Sequence, residues 1–217
     1  MYKNIIFNES CFDTFKKLPD NSIDVIFTLP PYNRKRNDKY KLYDDKIEDY
    51  FGFLCDLINE SMRVTKNFVA LNIQLNHYNR QEVFKLMGHF YKNITEMIVW
   101  EKSNPMPASG FSITNAYEIV LIFSDKRIKA NSTYTKNHKT ISVFSNMPKN
   151  HKAVMNPLFA SWFLKEFVPN DATVYDPFLG VGTTGVECNR LKINWFGSEL
   201  IEEYALCAKN NTGANLK

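Results

Sequence analysis

Residues 24–33 read DVIFTLPPYN, and their types suggest a chemistry. An apolar run with strand character stops at Pro30 and Pro31. Proline fixes φ and lacks an N–H, so neither can continue a central strand. Their carbonyls still accept hydrogen bonds, and Tyr32 beside them offers a flat aromatic face. Such a group suits the exocyclic amine of a nucleic-acid base. The amine lone pair is delocalised into the ring. Acceptors around the NH2 draw it towards tetrahedral geometry, ready for a methyl sulfonium placed in line. A base taken out of its stack would pack on the aromatic. No cysteine nucleophile and no metal is required. The plainer account of the same letters is a proline-rich strand exit over an aromatic core. Leu29 is apolar where this chemistry would use a polar acceptor.

A second stretch, DPFLGVGTTG at residues 176–185, lies between a strand and a helix that begins near Thr183. Gly180 and Gly182 permit positive φ and close approach of a ligand to the backbone. Asp176 ends its strand, and Glu199 ends the next one, 17 residues after Gly182. A carboxylate there can accept both hydrogen bonds of a ribose diol. Through Gly185 the turn also fits G-x-G-x-x-G, so a nucleotide cofactor is a rival on this segment alone. The acid before the turn would repel a pyrophosphate and welcome a cationic amino group. S-adenosylmethionine offers both an ammonium and an adenosine ribose. A tight turn without a ligand is the third reading.

These groups need a scaffold, and hydrophobic periodicity supplies it. Strand character recurs at KNIIF, IDVIFT, FVALNIQL, ITEMIVWEK, AYEIVLIFS and ATVYD, and once more before Glu199. Helical spacing falls between them, at CFDTFKKL, residues 46–64, NRQEVFKLMGHFY and NPLFASWFLKEFV, then after each end of the Gly turn segment. The alternation predicts one α/β domain over residues 1–217, with a mostly parallel sheet flanked by helices. Residues 125–156 lose the periodicity and read as a loop-rich insert. Apolar content of 44% and charged content of 23% are ordinary for a globular chain. Net charge is only +4, yet residues 125–152 hold seven Lys/Arg against one Asp, and residues 34–41 hold five against Asp38. Two basic segments on a near-neutral body suit a polyanion binder, although solvated loops would look alike. Cys11, Cys55, Cys188 and Cys207 are isolated, which argues against a zinc site and a disulfide framework. The opening MYKNIIFNESCF lacks signal architecture, and no apolar run reaches about 18 residues. A cytoplasmic location with no membrane contact is therefore expected.

With these motifs in this order, the chain resembles the β-class DNA amino-methyltransferases, which make N4-methylcytosine or N6-methyladenine. The likeness covers nearly the whole chain. IIFNESCFDTFKKLPDNSIDVIFTLPPYN is similar to the family's opening, with an acidic turn and then [Ser/Asp/Asn]-Pro-Pro-Tyr. VWEKSNPMPASGF and YEIVLIFS resemble its next hairpin, and DPFLGVGTTGVECNRLKINWFGSELIEEY its cofactor segment. The catalytic segment precedes the cofactor segment, unlike in the glutamine methyltransferases of release factors. The resemblance implies a Rossmann-like methyltransferase domain. It implies S-adenosylmethionine contacts from Asp176, Phe178, Gly180, Gly182, Thr183, Thr184 and Glu199, with Glu9 near the adenine. Leu29, Pro30, Pro31 and Tyr32 would hold the target base. DNA would meet Arg34, Lys35 and Arg36 beside the flipped base, and Lys136, Lys139 and Lys149 in the insert, which takes the place of the target-recognition region. An insert of about 30 residues is short, so a short site or help from a partner is implied, a restriction nuclease or a second copy. Leu29 departs from the family pattern, which leaves natural inactivation, a deliberate alteration or a tolerated variant open, with turnover reduced or lost in the first two. T-x-P-P-Y-N and HKAVM at residues 151–155 lean towards cytosine. The alternatives are an inactive S-adenosylmethionine- and DNA-binding protein, and an RNA adenine methyltransferase of the related Asp-Pro-Pro-Trp type, against which Tyr32 weighs.

Overall fold

The computed structural model describes residues 2–34, 45–105, 107–108, 113–142 and 154–217. In chain order the elements are β1 (Ile5–Phe7), α1 (Cys11–Lys16), β2 (Ile23–Thr28), α2 (Tyr50–Val64), β3 (Thr65–Ile73), α3 (Arg80–His89), β4 (Ile94–Lys102) and β5 (Tyr117–Phe123). They continue with β6 (His138–Ile141), α4 (Pro157–Phe167), β7 (Thr173–Asp176), α5 (Thr183–Leu191), β8 (Asn194–Ser198), α6 (Glu202–Thr212) and β9 (Asn215–Leu216). The nine strands among the described residues form one sheet in the order β6-β4-β5-β3-β2-β7-β8-β1-β9. β5 runs antiparallel to β3 and β4, and the other pairings are parallel, so the carboxyl ends of eight strands share one edge.

The strands alternate their side chains between two cores. Val25, Phe27, Phe68 and Ala70 face a layer built by α4, α5 and α6. Ile26, Val69, Leu71 and Ile73 face α1, α2 and α3. The three early helices therefore cover one face and the three late helices the other. Because β7 lies between β2 and β8, the proline-ended strand and the strand ending in Asp176 are neighbours, with Ile26 opposite Tyr175. That is the switch point at which open α/β sheets bind ligands.

Two expected boundaries move. The helix expected over residues 46–64 begins at Tyr50, because Asp49 caps it by accepting the Gly52 N–H at 2.8 Å. The insert expected as loop contains the edge strand β6, which pairs Val99–Lys102 of β4 with His138–Ile141. Among the described residues no helix is long and apolar enough to cross a membrane.

Candidate active site

The carboxyl edge brings the proline segment and the Gly turn together. Thr28, the last residue of β2, donates its hydroxyl to Asp176 Oδ1 at 2.7 Å. Thr184 donates to Oδ2 at 2.7 Å, and the Phe178 N–H to Oδ1 at 3.1 Å. Asp176 is 3% exposed. Burial pushes its carboxyl up to about 6, while these three donors restrain the rise. With both lone-pair sites of Oδ1 filled, Asp176 keeps one free on Oδ2. It acts first as a tie between the two motifs, rather than only as the open acid expected before the turn.

The turn itself is set by glycine. Gly182 has φ of +89°, and a Cβ there would sit 3.1 Å from Ala208 in α6. Gly185 lies against β8, where a Cβ would come within 2.5 Å of the Trp195 ring. Gly180 donates its N–H to Glu199 Oε2 at 2.8 Å, and Ile201 donates to Oε1 at 2.9 Å. Burial raises the Glu199 carboxyl above its ordinary range. The Leu200 N–H also favours its charged form, and the carboxylate keeps acceptor capacity for a diol. Phe178 is half-buried, with its ring edge-on to Phe53 at 5.9 Å. Thr183 is half-buried at the start of α5, whose N-terminus opens on this edge. Glu9 follows β1 on the same edge, but it is engaged: Lys17 forms an ion pair with it and Thr14 donates to it at 2.8 Å. Thr14 also meets Ser198 at 2.8 Å, and Ser198 meets the Tyr175 hydroxyl at 2.8 Å.

The proline segment is held more tightly than its letters suggest. The Tyr50 hydroxyl donates to the Pro31 carbonyl at 2.6 Å. No donor reaches the Pro30 carbonyl among the described residues. Leu29 is half-buried and packs against both cores. The expectation of an open Tyr32 face needs correction. Tyr32 is 5% exposed, with its hydroxyl donating to Glu118 Oε2 at 2.9 Å. Burial, then the Glu118 charge, raises that hydroxyl well above the phenol range. Asn76 and Asn79 both donate to the Tyr32 carbonyl, each at 2.8 Å.

Sequence reasoning missed the group that receives Tyr32. The Glu118 carboxylate also accepts from Asn72 Nδ2 at 2.7 Å and pairs with Lys102 at 2.7 Å. Lys102 and Glu118 are both largely buried, so this is not a solvated surface pair. Asn72 Oδ1 and Trp100 Nε1 are buried without a partner. The available signal was a polar letter inside each apolar run, Asn72 in FVALNI and Glu118 in YEIVLIF.

The basic residues divide. Arg34 is on the site edge, bonded to Gln74, with its guanidinium 5.5 Å from the Tyr32 ring. Lys139 lies in β6 with its ammonium 5.9 Å from the Trp162 ring. Lys136 precedes β6 on the amino-end half of the sheet, where Asn131 and Thr135 bond to the last turn of α4 at Glu166. It is therefore apart from the carboxyl edge that carries Arg34. Lys35, Arg36 and Lys149 lie outside the described residues. No cluster of three His, Cys, Asp or Glu suited to a metal occurs among the described residues.

Comparison with known proteins places this geometry. The profile of the family described as DNA methylase matches residues 23–210. The chain is 32% identical over 220 residues to the type II methyltransferase M.MwoI of Methanothermobacter wolfeii, covering 92% of this chain and 32% of that protein. It is 27% identical to the type II methyltransferase M.HinfI of Haemophilus influenzae, over 94% of this chain and 66% of that one. The chain thus spans about a third of the first relative and less than two thirds of the second. Among solved structures, the cytosine-N4-specific PvuII DNA methyltransferase superposes with a TM-score of 0.78 at 16% identity, over 96% of this chain and 88% of that one. The M1.HpyAVI complex with SAM gives 0.69 at 19% identity, over 96% and 99%. The fold is the Rossmann-like methyltransferase fold, and the chain belongs to the DNA methylase family.

Proposed function

We propose that the protein transfers a methyl group from S-adenosylmethionine to the exocyclic amine of a base flipped out of DNA, with N4 of cytosine favoured over N6 of adenine. The observation that carries this reading is the 2.7 Å bond from Thr28 to Asp176, which sets the Pro-Pro-Tyr segment directly beside the Gly turn. Glu199 would take the ribose diol, the charge of Asp176 would favour the ammonium, and Phe178, Gly180, Gly182, Thr183 and Thr184 would line the cofactor's path, with Glu9 beyond. Bound S-adenosylmethionine supplies the methyl: the amine lone pair forms the N–C bond, the C–S pair stays with sulfur, and one amine proton leaves to solvent. The chain's own part is to hold the amine against the Pro30 carbonyl and to exclude water. Arg34 would meet phosphate next to the extruded base. The preference for cytosine rests on T-x-P-P-Y-N and HKAVM. The names of M.MwoI and M.HinfI as type II methyltransferases support a role in restriction–modification, with a nuclease or a second copy as partner.

Leu29 lowers turnover in this reading. A missing acceptor costs about 1–3 kcal/mol as an unmet hydrogen bond, and roughly 10²–10³ in rate if it acts in the transition state. The test is transfer of labelled methyl to mixed-sequence DNA and RNA by the native chain, Leu29→Ser and Leu29→Asp. Faster labelling of DNA by at least one variant is expected. Cofactor binding without transfer by any of the three would favour an inactive binding protein, the second reading that Leu29 motivates. Label on RNA alone would favour an RNA methyltransferase.

A further inference from the structure

We propose that Asn72 partly replaces the amine acceptor that Leu29 lacks, an inference that rests on the methyl-transfer reading. The last registered pair of β2 and β3 is Thr28 with Leu71. One residue further, Leu29 and Asn72 are neighbours on adjacent chains about 5 Å apart. Alternation from Phe27 and Ala70 puts both on the face covered by α4. Asn72 therefore stands beside the position where the family places its polar side chain.

Its orientation is determined by its partners. The Glu118 carboxylate can only accept, and Asn72 Nδ2 donates to it at 2.7 Å and to the Tyr32 hydroxyl at 3.1 Å. The amide nitrogen must then face Glu118, which leaves Oδ1 on the other side. That oxygen is fully buried and has no donor. Buried acceptors are nearly always paired, so an unpaired one beside a substrate site points to a donor that arrives with a ligand. An exocyclic NH2 is such a donor. With the Pro30 carbonyl, Asn72 would provide a second acceptor for the amine, from β3 instead of from position 29. Glu118 and Lys102 would act as positioning residues, since they hold the amide in the required flip.

The decisive experiment is a double-mutant cycle on the full chain, reading single-turnover methyl transfer, with equilibrium S-adenosylmethionine affinity and thermal midpoint measured on each variant. Asn72→Leu in the native background is expected to lose roughly 10²-fold or more in transfer while cofactor affinity stays within about twofold. In the Leu29→Ser background, where position 29 supplies an acceptor again, the same substitution is expected to lose less than about 10-fold. Asn72→Ser, a smaller perturbation of the Glu118 cluster, replaces Asn72→Leu if the latter does not fold. Equal losses in both backgrounds would show a structural role and overturn the proposal, as would no loss in the native background. If the native chain is silent while Leu29→Ser transfers, Asn72 does not replace the acceptor, and the methyl-transfer reading survives without it. If no variant transfers, both fall together.

Discussion

At the scale of single residues, Asp176 is the most constrained group of the site. Its folded pKa of about 6 exceeds the ordinary 3.8 because burial disfavours the charge. The folded state then binds the proton more tightly than the unfolded chain, so stability falls as pH rises from about 4 to about 6. The full shift corresponds to about 3 kcal/mol. Asp176→Asn is expected to lose that dependence, so the native chain should weaken relative to the variant between pH 4 and pH 7. Urea denaturation at several pH values measures it, and parallel stability profiles would refute it. Thr28 can be tested separately. Thr28→Val deprives a buried carboxylate of one donor and is expected to cost about 1–3 kcal/mol in the same assay, with Thr28→Ser close to native.

At the scale of elements, the packing of α5 on β8 depends on the absence of one methyl group. Gly185→Ala would drive a Cβ to 2.5 Å from the buried Trp195 ring, so a loss of about 1–3 kcal/mol is expected, visible as a lowered thermal midpoint. The sequence showed Gly185 only as the third glycine of G-x-G-x-x-G; its contact with Trp195, ten residues on, was not legible there. The parallel strands were legible, because buried strands such as IDVIFT and FVALNI are long apolar runs between helical periods. β6 was not. HKTI has a single buried residue, Ile141, and pairs along one edge only, so it left no alternation to detect. The start of α2 was obscured because Ile47, ahead of the Asp49 cap, continues the apolar spacing. In the site, the two motifs were readable because each is contiguous. The Glu118–Asn72–Lys102 group was not, since it is assembled from β3, β4 and β5 by pairings that local spacing does not encode. The inward turn of the Tyr32 ring was hidden for the same reason.

At the scale of the whole molecule, charge and topology divide the basic residues by edge. Arg34 shares the carboxyl edge with the site, whereas Lys136 is on the other half of the sheet. If DNA lies along the carboxyl edge, Arg34→Gln should reduce the slope of log affinity against log salt by about 1, and Lys136→Gln should leave it unchanged. Equal effects would mean that DNA wraps around the β6 side. The strand order also bears on how the chain reaches this shape. Among the described residues β1 pairs only with β8 and β9, and β2 pairs on one side with β7, so the middle of the sheet is completed by segments that follow residue 172. Until those segments are synthesised, the opening strand has no partner and β2 presents an open edge. Such long-range closure folds slowly and leaves apolar strand edges exposed on the nascent chain. A ribosome-bound chain stopped before β7 should therefore be degraded by protease or held by chaperones, and protection should arise abruptly once β7 and β8 emerge.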